Sequence, residues 1–154
     1  SFNVSGMVVF VDGKPSKKDY RMYRLDGYRS DLDSMKEAIY RRYFRLLKDG
    51  GTYPNVLIVD GGEQQIAAAK EILDALEMDI TLCGLSKDEH HRTSALLNQD
   101  GERFDIDVSS PLFFLLTQMQ DEVHRFAISY HRRLRSKAMS KSALVDNHHL
   151  IYII

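Results

Sequence analysis

Two residues of this sequence combine the side-chain type and the placement that hydrolytic chemistry requires. His124 lies in the run Asp121-Glu122-Val123-His124-Arg125-Phe126-Ala127. That run belongs to a long amphipathic stretch, and the histidine falls just beside its apolar stripe. Asp60 ends the apolar run Val56-Leu57-Ile58-Val59 and is followed by Gly61-Gly62. An imidazole can ligate a divalent metal or move a proton near neutral pH. A carboxylate at the end of a buried strand sits where open α/β sheets bind ligands. Together the two make a workable hydrolytic metal site. Each also has a plainer reading. Asp60 could cap the helix that follows it, and His124 could be a surface histidine paired with Gln120 or Asp121.

The charge distribution indicates what such a site would act on. The stretch from Val123 to Val145 contains Arg125, Arg132, Arg133, Arg135, Lys137 and Lys141 and no acid. The rest of the chain has fifteen basic against 22 acidic residues, a charge of −7, although the whole chain is at −1. Such asymmetry marks a polyanion-binding edge or, more simply, a solvated helix end where cations suit the macrodipole.

Other chemistries are excluded or weak. The single Cys83 rules out an internal disulfide and a cysteine-built zinc site, and its apolar surroundings predict a buried structural thiol. No third glycine follows Gly61-Gly62 at nucleotide-binding spacing, which argues against a nucleotide-binding regulator. His90-His91 and His148-His149 have no fixed geometry and receive no role. Tyr20, Tyr23, Tyr40 and Tyr43 could stack bases, but such spacing more often marks the core edge. No run approaches the roughly 20 apolar residues of a membrane span. No membrane association is expected, and a reducing cytoplasm fits best.

The elements that must position these residues are legible from pattern. Met7–Val11 and Tyr20–Leu25 predict an antiparallel pair. Ser30 caps a helix that begins Asp31-Leu32-Asp33 and stops at Gly50-Gly51, so capping alone accounts for both acids. Asn55–Val59 predicts a buried strand, Ile66 to Leu76 a helix, and Ile80–Leu85 a second strand parallel to the first. Arg92–Leu97 and Arg103–Val108 flank Gln99-Asp100-Gly101 as a hairpin. Ser110-Pro111 opens a helix to about Arg135, with a core stripe from Leu112 to Tyr130. A mixed α/β sheet with flanking helices follows. The ribonuclease-H-like fold is one such arrangement, and it normally has one strand more before Met7.

Five ordered motifs resemble a known family. They are Lys14-Pro-Ser-Lys-Lys-Asp-Tyr-Arg, Tyr40-Arg-Arg-Tyr, Val56-Leu-Ile-Val-Asp-Gly-Gly, Gly84-Leu-Ser-Lys-Asp and Gln120-Asp-Glu-Val-His-Arg-Phe-Ala-Ile-Ser-Tyr-His-Arg. They are similar to the C-terminal endonuclease half of UvrC, a component of the bacterial excinuclease of nucleotide excision repair. The resemblance implies a ribonuclease-H-like domain over 1–146, with 147–154 a tail unlike the family. It implies incision 5′ to a lesion in double-stranded DNA with Mg²⁺ or Mn²⁺, and UvrB and UvrA as partners through the full-length protein. Of the family's catalytic set, one aspartate falls on Asp60, the histidine on His124 and a helix-start aspartate on Asp31. Asp60 and His124 are the implied metal ligands, and Gln65 matches the glutamine after the family's Gly-Gly. Arg125, Arg132, Arg133, Arg135 and Lys137 are the implied DNA contacts.

The sequence also departs from that pattern. The family's first aspartate falls on Asn3, so the first catalytic carboxylate is absent, whether by replacement or by omitted residues. An amide is a poorer ligand for hard cations than a carboxylate. Glu63-Gln64 stands where the family has Lys-Gly. These departures favour an alternative, a non-catalytic DNA- or protein-binding module on a degenerate nuclease fold.

Overall fold

The computed structural model describes the backbone of residues 2–25, 27, 30–90, 92–137 and 145–153, and the side chains of these up to 134 except 2 and 3. Among the described residues, eight strands form one mixed sheet. They are β1 (Phe2–Val11), β2 (Lys14–Pro15), β3 (Arg21–Arg24), β4 (Val56–Asp60), β5 (Thr81–Lys87), β6 (Thr93–Asn98), β7 (Arg103–Asp105) and β8 (Val145–Ile153). The order across the sheet is β2-β1-β8-β4-β5-β6-β7, with β3 also paired to β1. Among the described residues, the helices that flank it are α1 (Asp31–Asp49), α2 (Glu63–Ala75) and α3 (Pro111–Lys137).

The local signals act as expected. The Ser30 side chain accepts from the Asp33 backbone N–H at 3.1 Å, and Gly50 ends α1 in the left-handed region at φ 68°. The β4–α2–β5 unit is parallel, with Val56 opposite Thr81 and Asp60 opposite Leu85. β1 and β3 are antiparallel, as are β6 and β7.

Alternation along the strands divides the helices between two layers. Gly84 faces Ile66 of α2, and α2 is tied to α1 by Lys36–Glu71 at 2.8 Å. Gly6 of β1 faces Val123 of α3. So α1 and α2 cover one face and α3 the other. The core between them includes Phe10, Ile39, Tyr43, Leu57, Leu82, Leu116 and Met119, all at most 1% exposed. At about 25 cal/mol per Å² of apolar burial, this core is the main stabilising term.

Two differences from the sequence-based expectations matter. Leu112, expected in the α3 stripe, is 44% exposed beside the exposed Phe114, and the stripe begins at the half-buried Leu115. The larger difference is β8. It lies in the middle of the sheet, parallel to β1 (Met7 opposite Ile151) and antiparallel to β4 (Val59 opposite Ile151). Its Leu150-Ile151-Tyr152-Ile153 end has the β-branched and aromatic content of a strand, but the polar Asp146 to His149 start hides the pattern. Among the described residues no separate strand precedes Met7–Val11; that strand instead extends back to Phe2 as β1.

Candidate active site

Asp60 is the last residue of β4, and its carboxylate does not cap α2. The N-cap is Gly62, which has no side chain to offer; instead the Gln65 amide oxygen accepts from the Gly62 N–H at 2.9 Å. That bond gives Gln65 a structural role and leaves the Asp60 carboxylate available. One of its oxygens meets Lys87 Nζ at 3.3 Å, and the two side chains are 23% and 26% exposed.

The backbone corner after Asp60 is tight. Gly61 has φ 145°, and a Cβ there would stand 2.5 Å from Gln65 Cδ. A Cβ on Gly84, in the neighbouring strand, would stand 2.5 Å from the Gly61 carbonyl oxygen. Gly84 is therefore required by close approach to backbone, and Gly61 by its positive φ. The Gly61 N–H donates to the Leu85 carbonyl at 3.2 Å, which pins the corner to β5.

A chain of contacts links Asp60 to α3. Lys87 is paired with Thr93 across β5 and β6. The Thr93 hydroxyl donates to the Gln120 amide oxygen on α3. Gln120 is thereby committed to Thr93 rather than to His124, one turn further along the helix. His124 is exposed. Asp60 and the helix of His124 share one face of the sheet, and Lys87, Thr93 and Gln120 bridge them. Sequence reasoning gave Lys87 no role. Its signal was present: it lies two residues beyond Leu85, the register partner of Asp60, and so on the same face.

Next to His124, Glu122 accepts from the Tyr20 hydroxyl at 2.9 Å and from Arg125 at 2.9 and 2.6 Å. The Arg125 bonds, aided by that of Tyr20, hold the Glu122 carboxyl below the usual glutamate range. Burial and then the bond to Glu122 raise the Tyr20 hydroxyl. Arg125, expected on phosphate, is engaged within the helix. Arg132 and Arg133 are exposed, and Arg133 lies 5.9 Å from the Tyr130 ring centre. The side chains of Arg135 and Lys137 lie outside the described residues.

The remaining candidates are dispersed. Asp31 is exposed at the start of α1, in the layer opposite α3. Asn3 is opposite Asn147 near the start of β1, at the sheet end where β4 finishes. Its side chain lies outside the described residues. Cys83 is half-buried, and burial raises its thiol pKa. Among the described residues, no three or more His, Cys, Asp or Glu side chains gather as a metal cage, and no helix is long and apolar enough to cross a membrane. Asp60 is still a suitable donor, because Mg²⁺ is commonly held by one or two carboxylates and completed by water and substrate phosphate.

A family model described as the UvrC RNAse H endonuclease domain matches residues 1–128. The match includes Asn3, Asp31, Asp60 and His124 and ends before Arg132. The mixed sheet with helices on both faces is the ribonuclease-H-like fold expected from the sequence.

Proposed function

We propose, because the chain belongs to the UvrC RNase H endonuclease domain family, that it is the metal-dependent DNA endonuclease domain that cuts 5′ to a lesion in nucleotide excision repair. The observation that carries this reading is the release of Asp60 from capping. Gln65 caps α2 in its place, and Asp60 stands at a strand end on the face of α3. A divalent ion, Mg²⁺ or Mn²⁺, would supply Lewis-acid stabilisation of the charge that builds on the phosphodiester oxygens. Asp60 would hold it, with His124 on the same face as a further candidate donor; Asp31, in the opposite layer, is placed too far away to share that ion. The imidazole of His124 is exposed on α3 and is the candidate general acid or base. Lys87, beside Asp60, is placed to attract the scissile phosphate.

Arg132 and Arg133, with Arg135 and Lys137 beyond them, would hold flanking phosphates through charge-assisted bonds. Arg125 joins them only by leaving Glu122. Damaged double-stranded DNA is the substrate, and UvrB and UvrA are the partners through the full-length protein in the bacterial cytoplasm.

Asn3 and Glu63-Gln64 favour a second reading, a DNA- or protein-binding module without catalysis. One experiment separates the two. Nicking of supercoiled plasmid with Mn²⁺ should be slow for the chain as it stands. It should rise with Asn3→Asp and fall by about 100-fold when Asp60→Asn is added, the usual size of a lost charge-stabilising group. No nicking in any variant supports the non-catalytic module. Equal nicking with and without Asp60 removes Asp60 from the site.

A further inference from the structure

The outer surface of α1 carries a second feature that the Asp60 site does not use. Tyr40 and Phe44 lie one turn apart on the side opposite the buried Met35, Ala38, Ile39 and Tyr43. They are 41% and 44% exposed, and their rings stack at 5.3 Å and 18°. A soluble helix gains nothing by presenting two stacked rings to water unless something covers them.

The rings border a groove of ≈ 880 Å³ between α1 and the edge strand β3. Four arginines line it: Arg21 from β3 and Arg41, Arg42 and Arg45 from α1. Among the described residues, two carboxylates, Asp19 and Asp49, line it with them. Its positive charge stands out on a chain whose total is −1. Arg41 and Arg45 sit in exposed contacts that can exchange partners, whereas Arg21 donates to the Lys18 and Tyr20 carbonyls at 2.9 and 2.7 Å. Arg45 is 84% exposed and meets Asp49 at 3.6 Å, and Arg41 pairs with Glu37 in an exposed i,i+4 contact. Arg42 donates to the Asp19 carbonyl at 3.0 Å, which fixes its guanidinium toward the groove floor. Tyr23 adds a third aromatic wall.

We propose that this groove is a binding site for single-stranded DNA, separate from the Asp60 corner and in the opposite layer of the fold. The choice of DNA rests on the endonuclease reading above; the choice of a single strand rests on the groove. Ring faces can engage only bases that are unstacked, whereas a duplex presents phosphates and base edges. Guanidinium groups along the groove would follow the backbone of the strand while Tyr40 and Phe44 stack its bases. A nuclease that opens or holds a partly unwound substrate gains from such a site, because it fixes one strand away from the scissile bond.

The test is fluorescence anisotropy with a labelled single-stranded DNA of about 15 nucleotides, an abasic strand of equal length and a blunt duplex. The chain should bind the base-bearing strand more tightly than the abasic one. Tyr40→Ala with Phe44→Ala should weaken binding to the base-bearing strand by about 10- to 100-fold and leave the abasic strand unchanged. Phe44→Tyr should bind as the parent does. Arg45→Ala should lower the salt slope by about 0.7 for each phosphate it no longer neutralises. Equal affinity of the parent chain for base-bearing and abasic strands overturns the proposal. So does unchanged binding by a folded double-alanine variant, which would assign the surface to a protein partner. Plasmid nicking is read separately: strand binding through the groove without nicking by the Asn3→Asp chain sinks the nuclease reading and leaves this site standing.

Discussion

The corner after β4 and the outer face of α1 are built in opposite ways. At the corner the backbone itself is the constraint. Gly84 lies too close to the Gly61 carbonyl for any side chain, Gly61 holds a positive φ, Gln65 ties the turn, and the Asp60 carboxylate emerges beside it. On α1 the backbone is an ordinary helix and all the specificity is in side chains. Tyr40 and Phe44 are exposed and stack on each other, and Arg45 is exposed and meets Asp49 one turn along the helix. The contrast matches the role proposed for each place. Chemistry requires a donor fixed within a fraction of an ångström, so its support is packed into the fold. Binding a flexible strand requires surface that adapts, so its support is rigid and its contacts are not.

Substitutions break or sharpen this contrast in order of size. Gly84→Ala should destabilise by about 1–3 kcal/mol, because the new methyl meets the Gly61 carbonyl and Ile66. In the same urea melts, Tyr40→Ala should stay within about 0.5 kcal/mol. Similar losses at both positions would erase the distinction. Gln65→Ala should cost about 1 kcal/mol, as the Gly62 N–H loses its acceptor. An unaffected melting curve would mean that solvent replaces the cap.

Glu122, on α3 two residues before His124, gives a pH-dependent test. Its folded pKa is depressed, so its contribution is complete above the ordinary glutamate value and is lost as pH falls through the folded one. The stability gap between the parent and Glu122→Gln should therefore be present at neutral pH and shrink below about pH 4. A gap that widens on acidification would contradict the assigned Arg125–Glu122–Tyr20 contacts.

Most of the architecture was legible because local signals and burial agree. Ser30 and Gly50 bound α1, and Val56 to Val59 is apolar throughout because β4 is buried. Asp60 was legible as a position and ambiguous as a role. A strand followed by Asp-Gly-Gly fits capping as well as chemistry, and only the bond from Gly62 to Gln65 separates them. β8 was not legible, since its place depends on two partners more than eighty residues away in sequence, β1 and β4. The Tyr40–Phe44 groove was half legible. Four tyrosines were candidates for stacking, but Tyr20 and Tyr43 are buried while Tyr40 is exposed, and helical spacing alone does not show which face meets the sheet.

The most direct test of the Asp60 assignment is a crystal structure of the Asn3→Asp chain grown with Mn²⁺ and read by anomalous scattering. The expected result is an ion about 2.0–2.6 Å from an Asp60 carboxylate oxygen. Lys87 should have moved off that oxygen, and the His124 side chain should reach within roughly 10 Å of Asp60, a span that one ion and a water can bridge. An ion bound elsewhere, with Asp60 still paired to Lys87 and His124 turned to solvent, would contradict the assignment of Asp60 as the metal-holding carboxylate.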